Sequence, residues 1–198
     1  MIELGPASAD DMVLAFLQAE VESPRYRHYL ARAAQRLGVD VRSLVSSADI
    51  HDAQQNAERR ALLGLFRGYE RNTLLFPGFP ADVSWRWVSV TPTEIAQFKY
   101  ANWPDWSQLT RGTRLVADGV RNHNTVRIGA EAHVHVPAVA TKVSSGETLA
   151  PLIAVEGGGD VVMIEGHTRA TAYVLANAPA AMDIILGKSA NIRQWKLY

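Results

Sequence analysis

Cysteine is absent from this 198-residue chain, which excludes disulfides, thiolate nucleophiles and cysteine-ligated zinc and fits a reducing compartment. A surplus of either charge is absent as well, since 20 basic residues face 20 acidic ones. No overall field then steers the chain to nucleic acid or to an anionic membrane, although a local basic groove stays compatible with neutrality. No apolar run approaches the roughly 20 residues needed to cross a bilayer, and the first residues lack a basic segment followed by an apolar one. The expectation is a soluble, cytoplasmic protein without a membrane partner. Internal repeats and low-complexity tracts are missing too. What is there is an ordinary globular composition, 47% hydrophobic, enough for one large domain or two small ones.

The chemistry concentrates in residues 161–176. Val161-Val162-Met163-Ile164 reads as a buried strand, Glu165 to Arg169 as a tight polar turn, and the alanine-rich run to Ala176 as a helix. A strand that feeds straight into a helix N-terminus gathers free backbone N–H groups and the positive end of the helix dipole. That is a setting for an anion, phosphate first of all. Gly166 lets the backbone approach a ligand, Thr168 can donate to phosphate oxygens, and Arg169 adds a fixed charge and a forked donor. Each residue also has a plain structural role open to it. Glu165 can cap the helix, His167 can sit on the surface, and Arg169 can pair with Glu165 or Glu156.

A strand ending in an acidic residue, then Gly166, His167, Thr168 and Arg169, then a helix of small residues, resembles the nucleotide-binding motif of the ParB and sulfiredoxin superfamily. Its free serine kinases carry a turn similar to Glu165-Gly166-His167-Thr168-Arg169, and the likeness in layout covers residues 85–187. The expected architecture is α+β, an N-terminal helical region (1–80) packed on a small mixed-sheet ParB/sulfiredoxin-like domain (81–198). The resemblance implies a nucleotide, ATP or ADP, with Mg²⁺, held at Gly166, His167, Thr168 and Arg169. The implied chemistry is phosphoryl transfer to a small metabolite or nucleotide hydrolysis.

In the serine kinases the base is a glutamate from early in the domain. Glu94 and Asp105 stand in that region here, and Asp105, between Trp103 and Trp106, is the choice; Glu165 and His167 complete the catalytic candidates. No metal-ligating set is assigned. Without cysteine the likeness does not extend to sulfiredoxin's repair chemistry. Two further readings stay open. One is a ParB-like DNA-associated protein, a nuclease or a nucleotide-gated clamp. The other is a non-catalytic module whose N-terminal helices recognise a protein and whose nucleotide site is vestigial, marked by Glu165 and Arg169 paired to each other.

Along the chain, residues 1–80 read as helical. Ser8 with Asp10 and Asp11 caps a first helix carrying Val13, Phe16, Leu17 and Val21. Ser23-Pro24 starts a second, with Tyr26, Tyr29, Leu30, Ala33, Ala34 and Leu37 as one apolar stripe closed by Gly38. Arg25, Arg27, Arg32 and Arg36 lie mainly off that stripe, either a solvated face or a nucleic-acid contact. A third helix over 49–69 turns Ile50, Ala53, Ala57, Ala61, Leu62, Leu65 and Tyr69 inward. Leu74 to Pro80 breaks it and is too apolar for a free linker, so the boundary falls there.

Trp85 to Val90 reads as a strand, and Thr91-Pro92-Thr93-Glu94 as a capping box opening a helix that runs to Tyr100. The aromatic turn Asn102 to Trp106 either stacks a base or staples the helical part to the sheet, and Thr113 to Asn122 is helical. Ala132 to Val136 alternates strictly, which predicts a strand with His133 and His135 on one face, as metal ligands or as a half-exposed surface. Gly157-Gly158-Gly159 fits a hairpin turn better than a phosphate loop. Met182 to Leu186 is the last strand. Gly187-Lys188-Ser189 lacks the earlier glycine of a P-loop, although Lys188 can approach a phosphate if its strand lies beside Val161 to Ile164.

Overall fold

The computed structural model describes residues 1–126, 134–178 and 180–198. Its strands are β1 (Ile2–Ala7), β2 (Ser84–Val90), β3 (Leu152–Gly157), β4 (Asp160–Glu165) and β5 (Met182–Lys188). They form one five-stranded sheet in the order β1-β2-β5-β3-β4. Only the β3–β5 pair is parallel; β1–β2, β2–β5 and β3–β4 are antiparallel. β1 departs from the helical expectation for residues 1–80. It has no apolar alternation to announce it, and Ile2, Glu3 and Leu4 are exposed, so its strand conformation comes from pairing along Trp85 to Ser89. The three glycines close the β3–β4 hairpin as expected, with Gly158 and Gly159 at φ 53 and 92. Two successive positive φ values match the strands' twist, which is why glycine stands there.

On one side of the sheet lie α1 (Ala9–Val21), α2 (Arg27–Leu37), α3 (Ala53–Arg67) and a π-helical turn at Arg42–Ser46. Ser8 caps α1 in a box with Asp11, as its sequence predicts. α2 starts later than expected. The Ser23 carbonyl accepts N–H groups from Tyr26 and Arg27 in a turn, the helix opens at Arg27, and the buried stripe narrows to Leu30, Ala33 and Ala34. Tyr29 is exposed.

α3 keeps Leu62 buried, and Tyr69 beyond its end, as expected, but its face is turned from the rest of the expected one: Ala53, Ala57 and Ala61 are exposed, while Asn56, Arg59 and Leu63 are buried. The cause is Arg59, 1% exposed, whose guanidinium donates to the Leu44 and Asp49 carbonyls at 2.9 and 2.7 Å and to the Asn56 side chain. Leu44 is buried, so a methyl group in place of Arg59 would take a donor from that carbonyl.

The other side carries α4 (Pro92–Ile95), α5 (Pro104–Leu109), α6 (Val116–Asn122), α7 (Val136–Ser144) and α8 (His167–Leu175). α4 has its capping box but ends at Ile95, short of Tyr100. Lys99 instead borders β4, accepting from Met163 N–H at 2.9 Å and donating to the Val161 carbonyl at 2.8 Å, so a short loop covers part of that edge. The expected aromatic turn becomes helix α5, with Pro104 in its first turn. The expected strand over Ala132 to Val136 is not found in its described part. Val134 and His135 form a turn and α7 follows, because Val136, Ala140 and Val143 recur at helical spacing and bury together; His133 lies outside the described residues.

Alternation along the central strands divides the core. Ile153 and Val155 face a cluster with Phe16, Leu17, Leu62, Leu63 and Trp195, whereas Leu152 and Ala154 face one with Ile95, Tyr100, Val116, Ala170 and Tyr173. The fold is thus an α+β protein with its N-terminal helices on one face of a mixed sheet and its later helices on the other. Among the described residues, no helix is long and apolar enough to cross a membrane.

Arg59 gives a test of the rotated helix. Arg59→Met should lower the free energy of unfolding in urea by about 3 kcal/mol by stranding the buried Leu44 carbonyl, and Ala57→Glu by less than about 0.5 kcal/mol as a surface change. The reverse ranking would restore the alanine face to the interior.

Candidate functional site

β4 ends at Glu165, the chain turns at Gly166 with φ 96, and α8 begins at His167. A Cβ at Gly166 would lie 2.4 Å from Leu152 Cδ2 and 3.1 Å from Arg169 Nη2. Glycine is therefore required by the turn and by its packing, where the sequence pointed to the approach of a ligand. Arg169, one helical turn on, binds Glu165 Oε2 and reaches the Pro151 carbonyl at 3.3 Å. Of the partners open to it, Arg169 takes Glu165; Glu156 pairs with Arg86 at 2.9 Å.

His167 opens α8 as part of an aromatic stack. Its ring lies 5.7 Å from Tyr100 and 5.3 Å from Trp106, near-parallel to both, and Tyr100 and Trp106 are 4.4 Å apart. His167 Nε2 accepts the Ala101 N–H at 3.2 Å. Dense packing around the ring, with the positive charges of Arg25 and Arg169 adding, pushes its pKa down to about 3. The ring is neutral at physiological pH with Nε2 engaged, so a role as general base needs that nitrogen released from Ala101.

Trp106, 5% exposed, belongs to this stack and holds α5 to α8; Trp103, 44% exposed, stands apart at the mouth of a cleft. That cleft, about 920 Å³, opens where the two helical layers meet beyond the end of β4. Asp105, Glu165, Gly166, His167, Thr168 and Arg169 all line it, so the structure gathers the chosen catalytic and nucleotide-binding residues into one place; Glu94, the other candidate base, lies outside it and pairs with the N-terminal amine. Asp105 sits in the first turn of α5 and makes no ion pair among the described residues. Lys188 is not among the lining residues: β5 lies between β2 and β3, and Lys188 reaches Glu156 at 3.6 Å. His135 lines the cleft, but among the described residues no three His, Cys, Asp or Glu side chains group as a metal site.

The opposite wall comes from residues that the sequence reading passed over. Glu20 is 3% exposed and forms an ion pair with Arg67 at the end of α3. The signal was present: Val13, Phe16, Leu17 and Glu20 keep helical spacing, so Glu20 occupies the next inward position of α1. The Arg67 guanidinium lies 3.8 Å over the Tyr26 ring. Burial, with Glu165 adding, outweighs the opposing charges of Arg67 and Arg169 and raises the Glu20 pKa to about 7. Glu20, Arg67, Glu165 and Arg169 thus form one charge-balanced floor with a member from α1, α3, β4 and α8.

Comparison with protein-family models, curated proteins and solved structures finds no match for this chain, so geometry carries the functional reading.

Two opposed pH effects follow from this floor. The raised Glu20 carboxyl contributes stability that is full below pH 4.5 and is lost as pH rises through about 7. The depressed His167 contributes stability present above pH 6.5 and lost as pH falls toward about 3. Glu20→Gln removes only the first effect. Between pH 4.5 and 6.5 its melting temperature should rise with pH more steeply than that of the wild type, and parallel curves would mean that Glu20 does not titrate there.

Proposed function

We propose that this chain is a nucleotide-binding protein of ParB/sulfiredoxin-like type, its ligand seated in the cleft beside the Glu165 to Arg169 turn. The observation that carries the reading is the cleft itself: about 920 Å³, of nucleotide-binding size, with a strand-to-helix turn at its inner end and exposed Tyr29 and Trp103 at its mouth. Hairpin, tight turn and small-residue helix follow one another as the resemblance implies. An apolar mouth suits a base or another planar group. The inner end suits phosphate, since the first turn of α8 lies there and Arg25 lines the cleft without an acidic partner among the described residues.

Mg²⁺ fits this arrangement as a companion of the nucleotide, because it binds through phosphate oxygens and one or two carboxylates and keeps its waters. Asp105, beside the aromatic stack, is the carboxylate suited to it or to an acceptor's proton; like Glu22, it is a cleft residue outside any ion pair among the described residues. When bound, the ion supplies charge neutralisation for phosphoryl transfer or hydrolysis, with a small metabolite or water as acceptor. One observation favours a second reading, a non-catalytic module with a vestigial site: Arg169 is already paired with Glu165. A phosphate at Arg169 has to compete with that carboxylate.

Thermal-shift titration with ATP, ADP, CTP and GTP plus Mg²⁺ separates the two. A ligand at a hundredfold its dissociation constant stabilises by about 2.7 kcal/mol, roughly 5–10 °C for a chain of this size. The nucleotide reading expects such a shift with at least one nucleotide and its reduction in Arg169→Ala. Flat curves with all four would leave the vestigial module.

A further inference from the structure

Two arginines reach the cleft from opposite layers of the fold, Arg67 from the end of α3 and Arg169 from the first turn of α8. Each holds one carboxylate, Glu20 and Glu165 respectively, and each keeps a buried Nε–H without a hydrogen-bond partner. A guanidinium presents five donors in a rigid fork, more than one carboxylate can occupy. Arg67 is further fixed by lying 3.8 Å over the Tyr26 ring and 4.5 Å from that of Phe66. The two pairs are not independent. Glu20 is acted on by Glu165 and Arg169 as well as by Arg67, so all four charges lie within electrostatic reach of one another's partners.

We propose that Arg67 and Arg169 together clamp one anionic group of the cleft's ligand, a phosphate or pyrophosphate, whose arrival displaces Glu20 from Arg67, the displaced carboxylate completing its protonation from solvent. This deepens the nucleotide reading and rests on it for the ligand's identity. Planar guanidinium forks match phosphate oxygens two at a time, which makes a pair of them a stronger anion trap than a helix terminus alone. The proton is required by the surroundings. Glu20 is faced by Arg67 from α3, Glu165 from β4 and Arg169 from α8, beside the Tyr26 ring; with both cations turned to the ligand, a buried carboxylate next to Glu165 and a phosphate is held neutral. The carboxylates thus act as place-holders that keep the guanidiniums fixed and charge-balanced before binding.

The test is calorimetric titration of ADP and of inorganic pyrophosphate into the wild type, Glu20→Gln and Glu20→Gln/Arg67→Met, each in two buffers of different ionisation enthalpy near neutral pH. The double variant removes the pair together, so it keeps the fold where Arg67→Met alone strands the buried Glu20 carboxylate. The clamp expects pyrophosphate to bind the double variant at least about tenfold more weakly than the wild type. It also expects net proton uptake on binding to be greater for the wild type than for Glu20→Gln, the ligand's own ionisation being common to both. Equal pyrophosphate affinity in wild type and double variant, or no pyrophosphate binding to either, overturns it; proton uptake unchanged in Glu20→Gln overturns the role of Glu20. Pyrophosphate binding that depends on Arg67, with no binding of ADP, keeps the clamp and removes the nucleotide.

Discussion

Burial of the central strands on both faces is the constraint from which the architecture follows. Leu152, Ile153, Ala154 and Val155 of β3 are all fully buried, as are Ile184, Ile185 and Leu186 of β5. Strands apolar on both sides need cover on both sides. The N-terminal helices supply one layer and α4 to α8 the other. β4 leaves the sheet between those layers, so a turn at its end is flanked by both, and the cleft opens there.

The charges in that cleft are arranged against the expense of burying them. Glu20 and Arg67 belong to the N-terminal layer, Glu165 and Arg169 to the strand-to-helix turn, and each pair is neutral by itself. Breaking a buried pair by removing one partner costs more than the intact pair contributes, which holds the members of such a floor together. The orphaned Nε–H groups of both arginines show that neutrality was reached without full hydrogen bonding. A surface pair would have left those donors to water.

The aromatic stack has a different task. Tyr100, Trp106 and His167 come from separate elements, and their contacts fix where α8 begins relative to α5. The buried Tyr100 hydroxyl bonds Thr171 at 2.6 Å, one turn farther along α8. A helix start held this firmly presents its first-turn amides and Arg169 at a set position, which is what a pre-organised binding site requires. His167 serves the turn by its shape and by one accepted hydrogen bond, and its place in a conspicuous motif does not by itself make it an acid or a base.

Local rules decided much of this. Ser8 with Asp11, Asp52, Thr91 with Glu94, and Gly38 mark helix ends, and in each case a short-range hydrogen bond or a positive φ explains the residue. The Gly158-Gly159 hairpin, the strands β2, β4 and β5 and the strand-turn-helix at Glu165 to Arg169 were legible for the same reason: period and turn chemistry act within a few residues. What the sequence by itself could not decide were features set by partners far along the chain. β1 exists because β2 offers it hydrogen bonds, α3 turns its face because carbonyls outside the helix claim Arg59, and Val136 lies in a helix because it and Ala140 pack on Ala172. Likewise the turn alone left Arg169 free to choose among a phosphate, Glu156 and Glu165. Only the tertiary structure, by bringing Glu20 and Arg67 to the far wall and turning Glu156 toward Arg86, determined which charges meet, because electrostatic and hydrogen-bond partners are chosen by distance in space and not by separation in sequence.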